Sequence, residues 1–413
     1  MTNFKTRIEA VLEESAKSYT PPGTETKAII HQWIHALYSD SKLFAEKRKV
    51  NKKLIVKLLK KEGVYTPGGN FKKKVIEGFK LKSRKEHKFK FIDLFAGIGG
   101  MRQGFESAGG VCVFSSEFEK NAQATYEENY GEMPFGDIMK ISEKDIPDHD
   151  VLVAGFPCQP FSHAGLKLGI DDTRGTLFYN IAKILKEKKP KVALLENVRG
   201  LVSHDKGHTL KVILKTLTDI GYKCVIRKEV IEQGDVNTIK AQAKKMVLKS
   251  KDFGVPQNRV RIYIVLWRKD VMGEFKYPTP ISEMTRVGDV LEKNPDRKYT
   301  ISDRLWAGHQ RRKINNKKNG KGFGFGLVTK DSEYTNTISA RYYKDGSEAL
   351  IEQVNDNPRK ITPREAARLQ GFPESFIINK SDMQAYKQFG NSVSVPVIVE
   401  IAKKIKECIN GSD

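Results

Sequence analysis

Val151-Leu152-Val153-Ala154-Gly155-Phe156-Pro157-Cys158-Gln159-Pro160-Phe161-Ser162 decides how this chain is read. Four apolar residues, two of them β-branched, run into a cysteine flanked by turn-forming residues. Val192-Ala193-Leu194-Leu195-Glu196-Asn197-Val198 repeats the arrangement with a carboxylic acid in place of the thiol. Short runs apolar on both faces are the mark of strands buried inside a parallel sheet. In a doubly wound α/β fold the carboxyl ends of such strands line the ligand crevice. A thiol and an acid delivered to one crevice can together attack and protonate an electron-poor ring. Taken alone, Cys158 would read as a small buried hydrophobe, and Glu-Asn-Val would mean nothing. The third element is Phe91-Ile92-Asp93-Leu94-Phe95-Ala96-Gly97-Ile98-Gly99-Gly100, a strand entering a glycine-rich turn.

The 413 residues suffice for two or three domains, and 39 % hydrophobic content supports a core. A formal net charge of +23 favours a polyanionic partner, most simply nucleic acid. No run of 18 apolar residues and no apolar segment after a basic start is present, so neither a membrane span nor a signal peptide is expected. The four cysteines, Cys112, Cys158, Cys224 and Cys408, lack CxxC or Cys/His spacing; disulfides and a metal site are not expected, and a cytoplasmic home fits.

Three zones follow. Residues 1–87 form a basic, mostly helical N-terminal extension, with helices expected over Phe4–Ser18, Thr24–Leu37 and Val50–Lys61 and breaks at Pro21-Pro22-Gly23 and Pro67-Gly68-Gly69. Its lysines, densest at Lys72-Lys73-Lys74, read either as a solvated face or as a DNA-contacting module. Residues 88–268 alternate strands and helices as a parallel α/β catalytic domain, with strands expected at Lys90–Phe95, Val111–Ser115, Val151–Ala154, Val192–Leu195, Lys223–Glu229 and Arg261–Leu266. Residues 269–384 mix Gly, Asn, Lys and Arg with aromatics, as an irregular β surface that reads nucleic acid. Residues 385–413 return to the catalytic domain with a helix over Pro396–Cys408.

The glycine turn at Phe95, Gly97 and Gly99 lets backbone approach a ligand closely. Glu117 ends the second strand, where a carboxylate can accept both ribose hydroxyls of an adenosine. Asp137, with Ile138 beside it, ends an expected third strand and can take the adenine amino group. Such a turn is equally consistent with NAD. The absent G-x-G-x-x-G spacing and the absence of hydride chemistry downstream favour S-adenosyl-L-methionine.

With these residues in view, 89–408 resemble the bacterial DNA (cytosine-5) methyltransferases. The resemblance rests on Phe95-x-Gly97-x-Gly99, Pro157-Cys158-Gln159, Arg174-Gly175-Thr176-Leu177-Phe178, Glu196-Asn197-Val198, Gln257-x-Arg259-x-Arg261, Pro363-Arg364-Glu365-x-x-Arg368-Leu369 and Gln388-Phe389-Gly390-Asn391-Ser392-Val393. It implies an S-adenosylmethionine-dependent doubly wound sheet with a smaller target-recognition domain. Cys158 would add to C6 of a flipped cytosine, Glu196 would protonate N3, and C5 would take the methyl group before Cys158 leaves. Arg259 and Arg261 resemble the pair that holds the base oxygen and favours the thiolate. Pro157, Thr176, Leu177, Asn391 and Ser392 match cofactor-lining positions. Phe118 stands where the family often has tryptophan against the adenine. The loop Ser162–Gly175, with Ser162 and Arg174, resembles the one that closes on DNA.

Phe323-Gly324-Phe325-Gly326 and Ser339-Ala340-Arg341-Tyr342-Tyr343-Lys344-Asp345-Gly346 resemble the branch recognising CCWGG or CCNGG sites, which also often carries an N-terminal extension. Arg341, Tyr342 and Lys344 are the expected DNA contacts, since Arg and Lys pair with guanine in the major groove. Double-stranded DNA is the implied partner, with a cognate restriction endonuclease acting on the same site and a monomeric enzyme. Two alternatives stand beside this: a tRNA cytosine-5 methyltransferase of the same fold, and a DNA-binding regulator working through residues 1–87. The stretch 233–252 is longer and more basic than is usual in the family; a DNA-contacting loop is one reading.

Overall fold

The computed structural model describes residues 3–66, 69–81, 87–156, 177–281 and 285–411. Along the chain the strands are β1 (Phe89–Leu94), β2 (Gly110–Ser116), β3 (Val151–Gly155), β4 (Val192–Val198), β5 (Tyr222–Lys223), β6 (Val247–Lys249), β7 (Gln257–Asn258) and β8 (Val260–Arg268). The main sheet runs in the order β2-β1-β3-β4-β8-β5. β1 pairs in parallel with β2 and β3, and β3 pairs in parallel with β4. The apolar runs read from sequence are buried throughout: Val151 to Ala154 and Val192 to Leu195 are all fully inaccessible. That pattern is what parallel strands covered on both faces require.

The sheet is mixed rather than wholly parallel. β5 pairs antiparallel with β8, Tyr222 opposite Arg268 and Lys223 opposite Trp267. The strand expected over Lys223–Glu229 stops at Lys223, and Lys228–Gln233 is helical. β5 lies at the end of the sheet with one neighbour, so Cys224 and Ile226 bury in the core without a ladder to extend. No strand precedes Asp137. Phe135 makes an isolated parallel bridge to Ser116, and Asp137 then caps a short 3-10 turn by accepting from the Met139 N–H at 3.0 Å.

The chain divides into two compact units: Met1–Val247 with Ile262–Tyr277 and Ile401–Asp413, and Leu248–Arg261 with Pro278–Glu400. The first contains helices α1 (Phe4–Lys17), α2 (Thr26–Ser39), α3 (Lys52–Lys61), α4 (Gly69–Gly78), α5 (Gly100–Ser107), α6 (Lys120–Tyr130), α7 (Leu177–Lys188), α8 (His208–Asp219), α9 (Lys228–Gln233) and α10 (Val236–Ala243). Helices α1 to α4 are not a unit apart. Ile8, Leu12, Trp33, Ile34, Phe44 and Phe79 share one buried cluster with Val113, Phe114 and Phe135. Gln32, on the buried helix α2, donates to the Val113 carbonyl at 3.2 Å. The extension thus covers the edge strand β2, whose backbone groups would otherwise be open to pairing.

The stretch 233–252 resolves into a support. Asp235 caps α10 by accepting from Asn237 and Thr238 N–H groups. Ile239 and Ala243 are buried, and Lys211 of α8 donates to the Gly234 carbonyl at 2.8 Å.

In the second unit the β structure is irregular, made of two-residue strands, and a 16-residue helix α11 (Asp303–Lys318), not expected from sequence, lies within it. Ser302 accepts from the Leu305 N–H at its start, Asp303 sits in the first turn and Lys317 and Lys318 in the last, an order that suits the helix dipole. Trp306 of α11 packs edge-on against Phe325, ring centroids 5.0 Å apart.

Candidate active site

The turn after β1 is set by three left-handed residues, Phe95 (φ +58°), Gly97 (φ +55°) and Gly99 (φ +83°). A left-handed phenylalanine is unusual and carries strain that the surroundings must hold. The Ala96 N–H is fixed by the Ser116 carbonyl at 2.9 Å, and Gly99 N–H by the Ala96 carbonyl at 2.8 Å. A Cβ at Gly97 would meet nothing within 4 Å, whereas one at Gly99 would lie 2.3 Å from the Tyr130 ring. The turn is therefore open on one side and packed on the other.

Glu117 follows β2 and is almost wholly buried. Its Oε2 accepts from the Gly97 N–H and its Oε1 from the Glu119 N–H, both at 2.8 Å. Burial pushes its pKa up, against the pull of these backbone N–H groups. A carboxylate has about four lone-pair sites, so the Gly97, Glu119 and Phe118 N–H groups still leave acceptor capacity for a ligand hydroxyl. Phe118 next to it is 74 % exposed, a largely uncovered apolar ring. An open glycine turn, a carboxylate with spare acceptors and an exposed aromatic ring fit an adenosine. Ile138, expected at the same ligand, is instead a core side chain. Leu177 begins α7 and packs partly buried against the core.

Glu196 and the end of β3 come together. Gly155 pairs with Glu196 in the β3–β4 register, and a Cβ at Gly155 would lie 3.4 Å from Glu196 Oε2. Asn197 donates to the Phe156 carbonyl at 2.9 Å. This bond ties the residue after the acid to the residue before Pro157. Pro157, Cys158, Ser162, Arg174 and Thr176 lie outside the described residues.

The second unit assembles its motifs around the stretch from Gln257 to Arg261. Gln257 is fully buried; its side chain donates to the Leu369 carbonyl and accepts from the Ile338 N–H, both at 3.0 Å. Arg259, also buried, donates to the carbonyls of Ile338 (3.3 Å), Gly390 (3.2 Å) and Ser392 (2.5 Å). It therefore braces the Gly390–Ser392 backbone. Arg261 is half-buried and donates to the Val260 carbonyl at 2.9 Å. Asn391 is exposed and Ser392 half-buried. A Cβ at Gly390 would lie 2.3 Å from the Ser339 backbone, so Gln388–Val393 and Ser339–Gly346 press together. Arg341 and Lys344 are exposed. Tyr342, expected among the DNA contacts, is fully buried: its hydroxyl donates to the Ala349 carbonyl at 2.6 Å and accepts from the Ile361 N–H at 2.9 Å. It lies in a run of turns, its N–H donating to the Ser339 carbonyl and its own carbonyl accepting from the Gly346 N–H, and these turns hold the ring inward.

Sequence reading passed over Asp93, Arg102 and Tyr130. Arg102 is buried beneath the glycine turn, paired with Glu106 at 2.6 Å and Glu132 at 3.0 Å. Its signal was a cation in a helix's first turn, where the dipole disfavours it. Asp93 is a carboxylate inside an apolar strand, wholly buried, and neither oxygen meets hydrogen-bond geometry with a described residue. Burial pushes it up to about 8, only partly countered by the nearby Arg102 charge and N–H. The folded protein thus holds this proton through the range where the unfolded chain has released it. Its contribution to stability is fully present below the unfolded carboxylate range near pH 4 and is lost as pH rises towards 8. Asp93→Asn should raise the melting temperature, with a larger gain at pH 8 than at pH 5. Thermal unfolding at both values checks this, and equal gains would show that Asp93 is not protonated in the fold.

A family model for C-5 cytosine-specific DNA methylases matches residues 89–407. The chain belongs to that family. It is 61 % identical over 336 residues to the Type II methyltransferase M1.ScrFI of Lactococcus lactis subsp. cremoris, covering 80 % of this chain and 82 % of that one. To M.SsoII of Shigella sonnei it is 59 % identical over 322 residues, 77 % and 80 % of the two chains. Among solved structures, the S. pombe Dnmt2 methyltransferase superposes with a TM-score of 0.61 at 23 % identity, covering 78 % of this chain and all of that one, a likeness of fold. The expected α/β methyltransferase fold and DNA (cytosine-5) methyltransferase activity are those of this family.

Proposed function

We propose that the chain methylates C5 of a flipped cytosine at one short site in duplex DNA, as the modification enzyme of a restriction-modification system. The adjacency of Glu196 and the end of β3 carries this reading, because it brings an acid to the strand end from which Cys158 departs. Cytosine C5 is a poor nucleophile until a group adds at C6. The Cys158 thiolate supplies that group, and Glu196 donates a proton to N3 as the ring takes up charge. Loss of the C5 proton and elimination of Cys158 restore the aromatic ring. Arg261 holds the base oxygen, while Arg259 acts through the Gly390–Ser392 backbone it braces.

S-adenosylmethionine, when bound, supplies an electrophilic methyl group. Glu117 would hold its ribose, Phe118 its adenine, the Phe95–Gly99 turn its backbone-facing side, and Leu177, Thr176, Pro157, Asn391 and Ser392 the remainder. Asp137 would take the adenine amino group. Exposed Arg341 and Lys344, with Ser162 and Arg174, are assigned to DNA, and a CCWGG- or CCNGG-type site is inferred from the Ser339–Gly346 pattern. Among the described residues no helix is long and apolar enough to cross a membrane. A cytoplasmic monomer sharing its site with a cognate endonuclease completes the proposal.

Labelled S-adenosylmethionine with unmethylated duplex DNA, and tRNA in parallel, tests it. Bisulfite sequencing should place 5-methylcytosine at one motif. Label on tRNA alone would overturn the assignment.

A further inference from the structure

The segment from Glu127 to Gly136 is held from one side by the cofactor turn and from the other by the N-terminal extension. On the turn side, the Tyr130 hydroxyl donates to the Gly99 carbonyl at 2.8 Å, and its ring fills the space a Gly99 side chain would need. The Arg102 guanidinium lies 4.4 Å from the centre of that ring, anchored in turn by Glu132.

On the other side the contacts are numerous, one of them buried and the rest partly buried. Lys5 donates to Glu127 at 3.0 Å and to the Gly131 carbonyl at 2.9 Å. Lys27 donates to the second oxygen of Glu127 at 2.8 Å. The Met133 N–H donates to His31 Nδ1 at 2.8 Å, and the Gly136 N–H to Thr24 Oγ1 at 3.0 Å. Gly131 (φ +70°) and Gly136 leave no room for a side chain against the backbones of Phe79 and Gly23.

Glu9, His31 and Glu127 have the composition of a metal centre, but the His31 ring has no lone pair left to give. Because His31 Nδ1 accepts from Met133, its Nε2 bears the hydrogen and donates to Glu9 at 2.7 Å. Burial pushes Glu127 up, yet the Lys27 and Lys5 ammonium groups outweigh it and hold the carboxylate ionised. The cluster is a clamp.

We infer that the N-terminal extension is a working part of the cofactor site: by gripping residues 127–136 it seats Tyr130, the positioning residue that fixes the Gly97–Gly99 turn. This rests on the proposed reading of that turn as the S-adenosylmethionine site. A free-standing extension would need only a linker to the catalytic sheet, not this set of polar bonds to one ten-residue segment, to which Lys80 adds a donation to the Glu128 carbonyl.

The test uses the full chain with Tyr130→Phe, Lys5→Met, Thr24→Val and, as a conservative control, Thr24→Ser. Two readouts are taken: amide hydrogen exchange of residues 96–100 without cofactor, and S-adenosylmethionine affinity by calorimetry. Loss of one neutral hydrogen bond predicts a roughly 3- to 10-fold faster exchange and weaker binding in Tyr130→Phe. Lys5→Met and Thr24→Val should move both readouts in the same direction, and Thr24→Ser should restore them. In steady-state assays the cofactor KM should rise more than kcat falls. Unchanged exchange in Lys5→Met and Thr24→Val, whatever Tyr130→Phe does, would overturn the role of the extension. Glu117→Gln separates the two layers. If it leaves affinity intact, the reading of the cofactor site fails, while faster exchange in the extension variants still supports the clamp.

Discussion

Cys158→Ala should bring methyl transfer below detection while S-adenosylmethionine affinity stays within about twofold, because alanine cannot form the bond to C6 on which the route depends. The other cysteines cannot stand in. Cys112 is fully buried, and burial drives its thiol far above the ordinary range. Burial likewise pushes Cys224 and Cys408 up to about 11, so neither forms a thiolate near neutrality. The same contrast gives a second measurement. Alkylation by iodoacetamide at pH 7.5, mapped by mass spectrometry, should mark Cys158 ahead of the other three. Turnover surviving in the alanine variant would remove the covalent route altogether. Lost cofactor affinity would instead make the cysteine a structural residue.

The parallel core was legible because strands covered on both faces must be apolar at every position, as Val151–Ala154 and Val192–Leu195 are. The glycine turn was legible because only a few residue types tolerate its backbone, and Gly97 and Gly99 fall where it needs them. Other features depended on partners distant in sequence. Nothing near Tyr342 announces that Ala349 and Ile361 take its hydroxyl inward. Arg259 and Arg261 look alike in Gln-x-Arg-x-Arg, yet Arg259 donates to the carbonyls of Gly390 and Ser392 while Arg261 donates to that of Val260. The extension read as a lysine-rich appendage because its surface is basic, while its attachment rests on scattered side chains such as Lys5, Thr24 and His31. A charge count records what faces solvent, not where the buried face goes. The 16-residue helix in the second unit was missed for a related reason: its hydrophobic positions are few, and Trp306 and His309 pack on Phe325, which lies beyond the helix.

Glu196→Gln should lower kcat by on the order of 10²–10⁴-fold, the usual range for removing a positioned proton donor. The swap keeps the size of the side chain, so the β3–β4 register and the Asn197–Phe156 bond should persist, and the melting temperature should move little. What changes is the proton. A glutamic acid can pass one to N3 as negative charge builds on the ring, whereas an amide can only lend a hydrogen bond. The defect should therefore concentrate in the step that forms the C6 adduct. That step can be read apart from methyl transfer by the exchange of cytosine C5 hydrogen with solvent, which requires the adduct but not the cofactor's methyl group. Exchange falling in parallel with turnover places Glu196 in adduct formation. Near-normal exchange with slow methylation would move its role to the later step, and unchanged turnover would remove it from the chemistry.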